Sequence, residues 1–287
     1  MTNELPAFYV VATPIGNLAD ITLRALTVLR GVGLIAAEDT RHTRHLCTHH
    51  GISAALIAAH EHNEARAAGE ILSRLAAGQS VAYVSDAGTP AISDPGARLV
   101  AAVRAAGHPV VPLPGPCAAV TAMSVSGFAD GAWTFRGFLP HKTAARRTVL
   151  ESLVALPEIQ IFYESTHRIV DSLAAIGEVF GERRIVLAKE LTKVFEAIVD
   201  GTAAEVLDWL AADGERARGE FVLVIAGAAA DAKPDDSARV LALLLADGLP
   251  VRQASNLAAA ISGAPRKKLY EQALALRAQS ATLDPDN

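Results

Sequence analysis

The first half of the chain alternates short apolar runs with longer segments in which apolar residues recur at helical spacing. This pattern is typical of a parallel α/β sheet whose strands are joined by crossover helices. The predicted strands are residues 8–12, 33–38, 55–59, 81–85 and 109–113. The predicted helices are residues 22–30, 63–77 and 94–106, followed by Gly31, Gly78 and Gly107 where a left-handed residue is favoured.

The second half is richer in strands, and it follows a helix predicted at residues 116–125. Its predicted strands are 134–138, 159–164, 184–189, 195–200 and 220–226, and its predicted helices are 142–155, 167–180 and 203–212. The short gap between the strands at 184–189 and 195–200 indicates an antiparallel pair, so this sheet is predicted to be mixed. Residues 227–236 have the composition of a linker. Three helices without strands follow, at 237–246, 251–262 and 265–279.

The length of 287 residues is more than one typical domain core requires, since domains have roughly 100–200 residues. We therefore predict an α/β protein of two domains with a small appendage. A parallel-sheet N-terminal domain covers residues 1–125, a mixed-sheet second domain covers 126–229, and a C-terminal helical module covers 236–279.

Charge and cysteine content narrow the class of protein. The formal net charge of −5 argues against a surface that is basic throughout and coats nucleic acid, although a local basic patch is compatible with it. Cys47 and Cys117 are too few for a disulfide framework, and the first ten residues show no secretory leader. Charges and turns interrupt the apolar stretches before they reach the ~18–20 residues of a spanning helix. These features predict a cytoplasmic protein without a membrane segment.

Three loops rich in proline and glycine follow the first, fourth and fifth predicted strands, at residues 13–17, 85–96 and 112–119. Because the carboxyl ends of parallel strands lie at one edge of a sheet, the loops are predicted to meet there, where open α/β sheets bind ligands. Each loop taken alone is also compatible with an ordinary strand-to-helix connection. No dinucleotide-binding or P-loop motif is present.

The loop at residues 85–96 is the most informative of the three, because it contains two glycines, two prolines and two aspartates. Asp94 precedes Pro95 and fits a helix N-cap followed by proline at the first helical position, which is a structural role. Asp86 lies at the strand end and is the better ligand candidate, since a carboxylate there can accept hydrogen bonds from an amine or a hydroxyl.

Charged residues end three further strands, at 38–43, 162–168 and 189–193. Six of the nine histidines lie between His42 and His62, but no motif with zinc-ligand spacing is present, so no metal is predicted. A polar rim that contacts a substrate is the better interpretation of this region.

The last helices contain five basic residues against one acidic residue between Pro250 and Arg277. The local net charge is therefore +4, and that of the remaining chain is −9. Arg266, Lys267 and Lys268 form a cluster at the start of one helix. This cluster is compatible both with a solvated helix face and with a small nucleic-acid-binding module.

Eight stretches in this order resemble the bacterial ribosomal RNA small-subunit methyltransferase I family of the tetrapyrrole methylase superfamily. They are VATPIGNLADITLRA, EDTRHT, HEHNE, VSDAGTPAISDPG, PLPGPCA, GFLP, FYESTHRI and KELTK. The resemblance implies a two-domain tetrapyrrole-methylase-like fold, S-adenosylmethionine as cofactor, and 2′-O-methylation of cytidine 1402 of 16S rRNA in the decoding centre. It also implies a homodimer that acts on the small ribosomal subunit, without DNA as a partner.

The resemblance implies the cofactor contacts, whereas the other candidate site residues come from the charged strand ends and the basic start of the last helix. It implies cofactor contacts by Pro14, Ile15, Gly16, Asp86, Ala87, Gly88, Thr89, Cys117, Ala118 and Tyr163 (or Phe162). The candidates for a general base are Glu164, Glu38, Asp39 and Glu190, and we place Glu164 first because it ends a strand beside His167 and Arg168. Lys189, Arg41 and Arg168 are candidates for orienting phosphate or stabilising the oxygen, and Arg266, Lys267 and Lys268 are candidates for docking RNA. The alternatives are a tetrapyrrole C-methyltransferase and a non-catalytic RNA-binding or assembly protein.

Overall fold

The structure is a computed structural model that describes residues 6–128, 131–228 and 237–282, with side chains up to residue 276. The chain divides into two compact units. The first comprises the residues up to 154 together with 158–226, and the second comprises 155–157 together with the residues from 227 onward. Both predicted sheets lie within the first unit.

The first sheet is parallel throughout, with the strand order β3-β2-β4-β1-β5. Its strands are β1 (Phe8–Val11), β2 (Leu34–Ala37), β3 (Ala55–Ala58), β4 (Val81–Val84) and β5 (Val110–Leu113), within two residues of the predicted bounds. One face packs on α1 (Leu23–Gly31) and α2 (Thr40–His49), and the other packs on α3 (Glu64–Ala76) and α4 (Ala97–Ala105). Burial on both faces explains why the central strands are continuous apolar runs.

Three features of this half differ from the prediction. Helix α2 was not predicted, because its residues are mostly polar and only Thr43, Leu46 and Cys47 are buried. Helix α4 begins at Ala97 after Gly96, not at Asp94, so the assignment of Asp94 as an N-cap is wrong. Gly31 is the last residue of α1, whereas Gly78 and Gly107 follow their helices with φ of 80° as predicted.

The second sheet is mixed, with the strand order β6-β7-β10-β8-β9. Its strands are β6 (Trp133–Phe138), β7 (Ile159–Ser165), β8 (Ile185–Lys189), β9 (Ala197–Gly201) and β10 (Glu220–Ile225). Strands β6 and β7 are parallel and the other pairs are antiparallel, including the predicted pair of β8 and β9. Helix α5 (Ala118–Val125) begins two residues later than predicted and packs on one face. Helix α7 (Ile169–Phe180) contacts β7, and it also contacts α6 (Thr143–Leu153) and α8 (Ala203–Ala211).

The second unit contains helices α9 (Ser237–Ala246), α10 (Val251–Ser262) and α11 (Arg266–Thr282), close to the predicted positions. Leu241, Ala254, Ala258, Leu269 and Ala273 form its buried core. Most of the predicted linker at 227–236 lies outside the described residues. Within the described ranges, no helix has both the length and the apolarity needed to cross a membrane.

Candidate functional site

The three loops rich in proline and glycine meet at the carboxyl edge of the first sheet, which confirms the prediction. The N–H of Thr13 donates to the carbonyl of Gly88 at 2.8 Å, and the N–H of Gly88 donates back to Thr13 at 3.0 Å. Thr89 Oγ1 then donates to the carbonyl of Pro116 at 2.9 Å. The loop at 85–96 is therefore hydrogen-bonded to the loops on either side of it.

Glycines allow these loops to approach one another and the second sheet. Gly88 has φ of 75°, and a Cβ there would lie 3.3 Å from Ile15 Cγ2. A Cβ on Gly16 would lie only 2.5 Å from Lys193 Cγ, in the segment that follows β8. The first loop thus contacts the second sheet at Gly16, and a larger residue would separate them.

A cavity lies between these loops and the second sheet. The loops contribute Ile15, Ala87, Gly88, Thr89, Ile92, Ser93, Asp94, Cys117 and Ala118, and the second sheet and its flanks contribute Phe138, Tyr163, Ala188, Leu191, Glu220, Phe221 and Val222. Seven of the ten residues predicted to contact a cofactor are among them. Pro14 and Asp86 instead line a smaller neighbouring pocket with His42 and His45.

Tyr163 faces the cavity because side chains alternate along β7, which places Phe162 on the opposite face at 1% exposure. The Tyr163 hydroxyl accepts a hydrogen bond from the Ala119 N–H at 3.2 Å, at the start of α5. The centroid of the Tyr163 ring lies 4.7 Å from the centroid of the Phe135 ring. Burial raises the pKa of Tyr163, so the hydroxyl stays protonated at neutral pH.

Glu38 and Asp86 hold two loops of the first sheet together. The Asp86 N–H donates to Glu38 Oε2 at 3.3 Å, and the Asp39 N–H donates to Asp86 Oδ1 at 2.9 Å. Burial raises the pKa of Glu38. The Arg41 side chain lowers the pKa of Asp39 to about 2, and a carboxylate of such low basicity is a poor general base. Arg41 remains exposed at the rim.

The charged residues after β8 are bound to one another. Glu190 Oε1 accepts hydrogen bonds from Lys193 Nζ at 2.8 Å and from the Glu220 N–H at 2.9 Å. Burial alone would raise the pKa of Glu190, but these two hydrogen bonds and the positive charges of Lys193 and Lys189 together outweigh it, so the pKa is lowered. Lys189 is buried and, like Glu190, lines a groove next to Phe195 and Trp209, not the cavity.

The side chains of Glu164 and Arg168 lie on the side of the second sheet that is covered by helices. This position disfavours the predicted roles of Glu164 as a general base and of Arg168 as an RNA contact. Glu164 is 2% exposed and faces away from Tyr163, and its Oε2 accepts from Ser172 Oγ at 2.7 Å. Arg168 Nε forms an ion pair with Glu164 Oε1 at 3.3 Å, and Arg168 Nη2 donates to the carbonyl of Leu139. Neither side chain lines the cavity, so the structure disfavours Glu164 as a base and Arg168 as a contact of the RNA.

Asp94 was predicted to be structural, yet it lines the cavity. Gly96 would be the second helical residue after a cap at Asp94, but its φ of 125° is not helical, so no helix starts at Asp94. The Asp94 side chain instead lines the cavity. Phe138 and Leu191 also line the cavity. No residue of the GFLP stretch was predicted to have a role, and in KELTK only Lys189 and Glu190 were candidates. Phe221 and Val222 carried no signal beyond an apolar strand.

Gly96 fixes the end of this loop, and its replacement by alanine tests that contact. An added Cβ would lie 2.4 Å from Cε1 of the buried Tyr83, at φ of 125°. We expect Gly96→Ala to lower the free energy of unfolding by about 2–5 kcal/mol. Gly107→Ala is the matched control, since Gly107 has φ of 80° with nothing near its Cβ, and should lose about 1–2 kcal/mol. Urea unfolding measures both, and equal losses would contradict the steric argument.

The three basic residues predicted to dock RNA are exposed in the second unit. Arg266, Lys267 and Lys268 form the first turn of α11, and residues 263–265 join it to α10. A turn of three or four residues with glycine between two helices is typical of a helix-turn-helix. Among the described residues, no group of histidine, cysteine, aspartate or glutamate side chains is arranged to hold a metal ion.

Comparisons with known proteins agree with this two-part organisation. The family model described as Tetrapyrrole (Corrin/Porphyrin) Methylases matches residues 7–207, and the model described as RsmI C-terminal HTH domain matches residues 231–277. Ribosomal RNA small subunit methyltransferase I of Escherichia coli O157:H7 is 52% identical over 275 residues, 95% of this chain and 96% of the relative. The protein of the same name from Pseudomonas aeruginosa is 50% identical, covering 95% of this chain and 98% of the relative.

Solved structures share the fold of the first unit at low identity. Uroporphyrin-III-C-methyltransferase from Thermus thermophilus has a TM-score of 0.54 at 21% identity, covering 77% of this chain and 94% of that one. The methyltransferase CobJ has a TM-score of 0.58 at 19% identity, covering 79% and 95%. A Thermus thermophilus uroporphyrin-III C-methyltransferase complexed with S-adenyl homocysteine has a TM-score of 0.52 at 15% identity, covering 77% and 97%.

Proposed function

Because this chain belongs to the tetrapyrrole methylases and, within them, to the ribosomal RNA small subunit methyltransferase I family, we propose that it methylates the ribose 2′-oxygen of cytidine 1402 in 16S rRNA. It is an S-adenosylmethionine-dependent rRNA methyltransferase. The observation that carries the proposal is the identity of about one half to relatives of that name over 95% of the chain, which includes both the cavity loops and the C-terminal helices.

The residues of the cavity fit S-adenosylmethionine. Apolar side chains of Ile15, Ile92 and Leu191 and the ring of Phe138 offer a surface for the adenine and the methionine chain. The absent side chain of Gly88 and the small side chain of Ala118 leave room for a ligand against the loop backbone. Cofactor contacts by these residues therefore remain part of our proposal.

Methyl transfer of this kind depends mainly on positioning. S-adenosylmethionine supplies an activated methyl group when bound, and the ribose oxygen has to be held ~3–3.5 Å from it in line with the bond that breaks. The hydrogen-bonded loops at Thr13, Gly88 and Thr89 give the cavity a fixed wall on one side. The contact of Gly16 with Lys193 holds that wall against the second sheet, which supplies Tyr163 and Phe138.

The second unit supports an RNA substrate over a tetrapyrrole. The solved structures whose titles name a uroporphyrin methyltransferase cover 77% of this chain, share at most 21% identity and therefore support the fold alone. The exposed basic turn of α11 gives the chain a local positive charge that an rRNA backbone would neutralise. We further propose that the protein acts in the bacterial cytoplasm as a homodimer on the small ribosomal subunit.

Mass spectrometry of nucleosides from 16S rRNA tests the function directly. We expect 2′-O-methylation at cytidine 1402 to disappear in cells that lack the protein and to return when the gene is supplied again. With purified protein and S-adenosylmethionine, small subunits from the deficient cells should accept one methyl group each, whereas uroporphyrinogen should accept none. Methylation of uroporphyrinogen, or an unchanged nucleoside profile in the deficient cells, would overturn the proposal.

A further inference from the structure

Three neighbouring strands of the second sheet, β6, β7 and β10, form one wall of the cavity. Phe138 ends β6, Tyr163 lies on β7, and Glu220 begins β10. Because β7 lies between the other two strands, the groups that tie the ends of β6 and β10 to β7 set the shape of this wall. Tyr163 is held by its hydrogen bond with Ala119, whereas Phe138 is 52% exposed, so its own packing holds it only in part.

A β-bulge in β6 turns Phe138 toward the cavity. Phe135 is paired with Ile161 and Phe138 with Tyr163, so two residues of β6 lie opposite one residue of β7. Gly137 lies within the bulge and has φ of 69°, which glycine adopts without strain. In a regular strand, Phe135 and Phe138 would face opposite sides of the sheet. Here both rings lie against that of Tyr163, at centroid distances of 4.7 and 5.9 Å. The direction of Phe138 therefore depends on what holds the backbone at the bulge.

Arg168 holds the backbone directly after the bulge. Its Nη2 donates to the carbonyl of Leu139, the residue that follows Phe138, and its Nε forms an ion pair with Glu164 Oε1 at 3.3 Å. Arg168 lies in the turn between β7 and α7, and its side chain is 14% exposed. A guanidinium group is planar and has several N–H donors, so it can bind both partners at once in a fixed geometry. Arg168 thus ties the end of β6 to the turn after β7.

Thr166 lies in the same turn and holds the strand on the other side of β7. Its Oγ1 donates to the carbonyl of Gly219 at 2.8 Å and accepts a hydrogen bond from the Gly219 N–H at 2.7 Å. Gly219 precedes Glu220 and has φ of 115°, and a Cβ there would lie 2.6 Å from Glu190 Cγ. Glu220 Oε2 accepts a hydrogen bond from Lys193 Nζ at 2.8 Å. Thr166 therefore fixes the start of β10 beside the segment that contacts the first loop.

We propose that Arg168 and Thr166 are positioning residues for methyl transfer, which hold Phe138 and Glu220 in register on either side of Tyr163. This inference rests on the proposed function. Arg168 and Thr166 do not line the cavity, so they act through the residues that do. Methyl transfer requires the donor and the acceptor oxygen to be aligned closely, and a displacement of about 1 Å can cost about 100-fold in rate. Side chains behind the wall of a site supply this precision.

Substitutions that release each contact while preserving the fold test the proposal. Arg168→Lys keeps a positive charge beside Glu164, but its single ammonium group cannot also hold the carbonyl of Leu139 in the same geometry. Thr166→Val keeps the shape of the side chain and removes both hydrogen bonds with Gly219. We expect each variant to bind S-adenosylmethionine about tenfold more weakly in calorimetry and to turn over small subunits about 10–100-fold more slowly. Thr166→Ser retains the hydroxyl and should restore both properties.

Thr202→Val is the matched control, because it removes the same hydroxyl at a position outside the cavity. Thr202 caps α8, where its Oγ1 accepts a hydrogen bond from the Glu205 N–H at 3.3 Å. We expect this variant to lose about 2–4 °C in Tm, since a helix cap is lost, with unchanged cofactor affinity and turnover. The KM for small subunits should be the same in all four variants, because none of the substitutions alters the basic turn of α11.

Two outcomes would rule out the positioning role. In the first, Arg168→Lys and Thr166→Val lose only thermal stability, as Thr202→Val does, and keep the cofactor affinity and turnover of the wild type. In the second, Thr166→Ser recovers neither property. The affinity for S-adenosylmethionine is measured without RNA, so it tests the positioning role by itself. A wild type that binds S-adenosylmethionine but methylates no small subunit would instead contradict the proposed function.

Discussion

Changing Arg266, Lys267 and Lys268 together to glutamate should reduce methylation of small ribosomal subunits by about 100-fold or more at physiological salt. The three residues form the exposed first turn of α11, and the substitution changes the local charge by six units. Affinity for an RNA backbone comes largely from the counterions that basic side chains release, so a reversed charge removes that gain and adds repulsion. The measurement is the initial rate of methyl transfer at subsaturating subunits, together with its salt dependence.

The control for this variant carries the same change of charge elsewhere. Arg24, Arg66 and Arg104 are exposed on α1, α3 and α4, and their replacement by glutamate should alter the rate much less. Calorimetry should give the wild type and both triple variants the same affinity for S-adenosylmethionine, because the cavity belongs to the first unit. If both triple variants lose activity equally, net charge and not the α11 cluster governs docking.

Replacing Glu164 with leucine should lower the free energy of unfolding by about 3–5 kcal/mol. The substitution takes a partner away from two residues at once, because Arg168 loses its counter-charge and Ser172 loses its hydrogen-bond acceptor. Arg146 is also buried and donates to Ser172 Oγ at 3.1 Å, so a displaced Ser172 would weaken this hydrogen bond too. A buried cation without a partner is costly because it has given up its hydration. Urea unfolding by circular dichroism measures the change.

Glu164→Gln separates this structural role from a catalytic one. The amide oxygen can still accept from Ser172, so we expect a smaller loss of about 1–2 kcal/mol and nearly normal turnover per folded molecule. A general base at this position would instead lose about 10²–10⁴-fold in turnover. Glu151→Ala, which breaks an exposed i,i+4 pair with Arg147, is the matched control and should change stability by less than about 0.5 kcal/mol.

The strands and the meeting of the three loops could be predicted because they follow from local patterns and from a general rule of topology. Runs such as 81–84 are apolar in every position, which is typical of strands covered by helices on both faces. Parallel strands joined by right-handed crossovers place their carboxyl ends at one edge, and the observed order β4-β1-β5 makes the loops after these three strands neighbours. The missed helix α2 shows the limit of this approach, since its polar sequence has only three buried residues.

The roles of individual side chains depended on tertiary contacts. Phe162, Tyr163 and Glu164 are consecutive, and only the packing of α5 and α7 on opposite faces of β7 decides that Tyr163 alone faces the cavity. Asp94 also shows that local sequence was not sufficient. Its sequence context fits a helix N-cap, but the folded loop does not form one at that position.

The sequence by itself therefore determined the two sheets, the edge at which the loops meet, the basic start of α11 and the family. The tertiary structure decided which carboxylate faces the cavity. The physical reason lies in the backbone of the loop: Ala91 and Ser93 are left-handed, a conformation that their own side chains disfavour. Contacts from distant residues stabilise it, among them the hydrogen bond from the Gly96 N–H to Glu64 Oε1 at 3.0 Å and the packing of Gly96 on Tyr83. Such contacts join residues far apart in the chain, so no local pattern could reveal them.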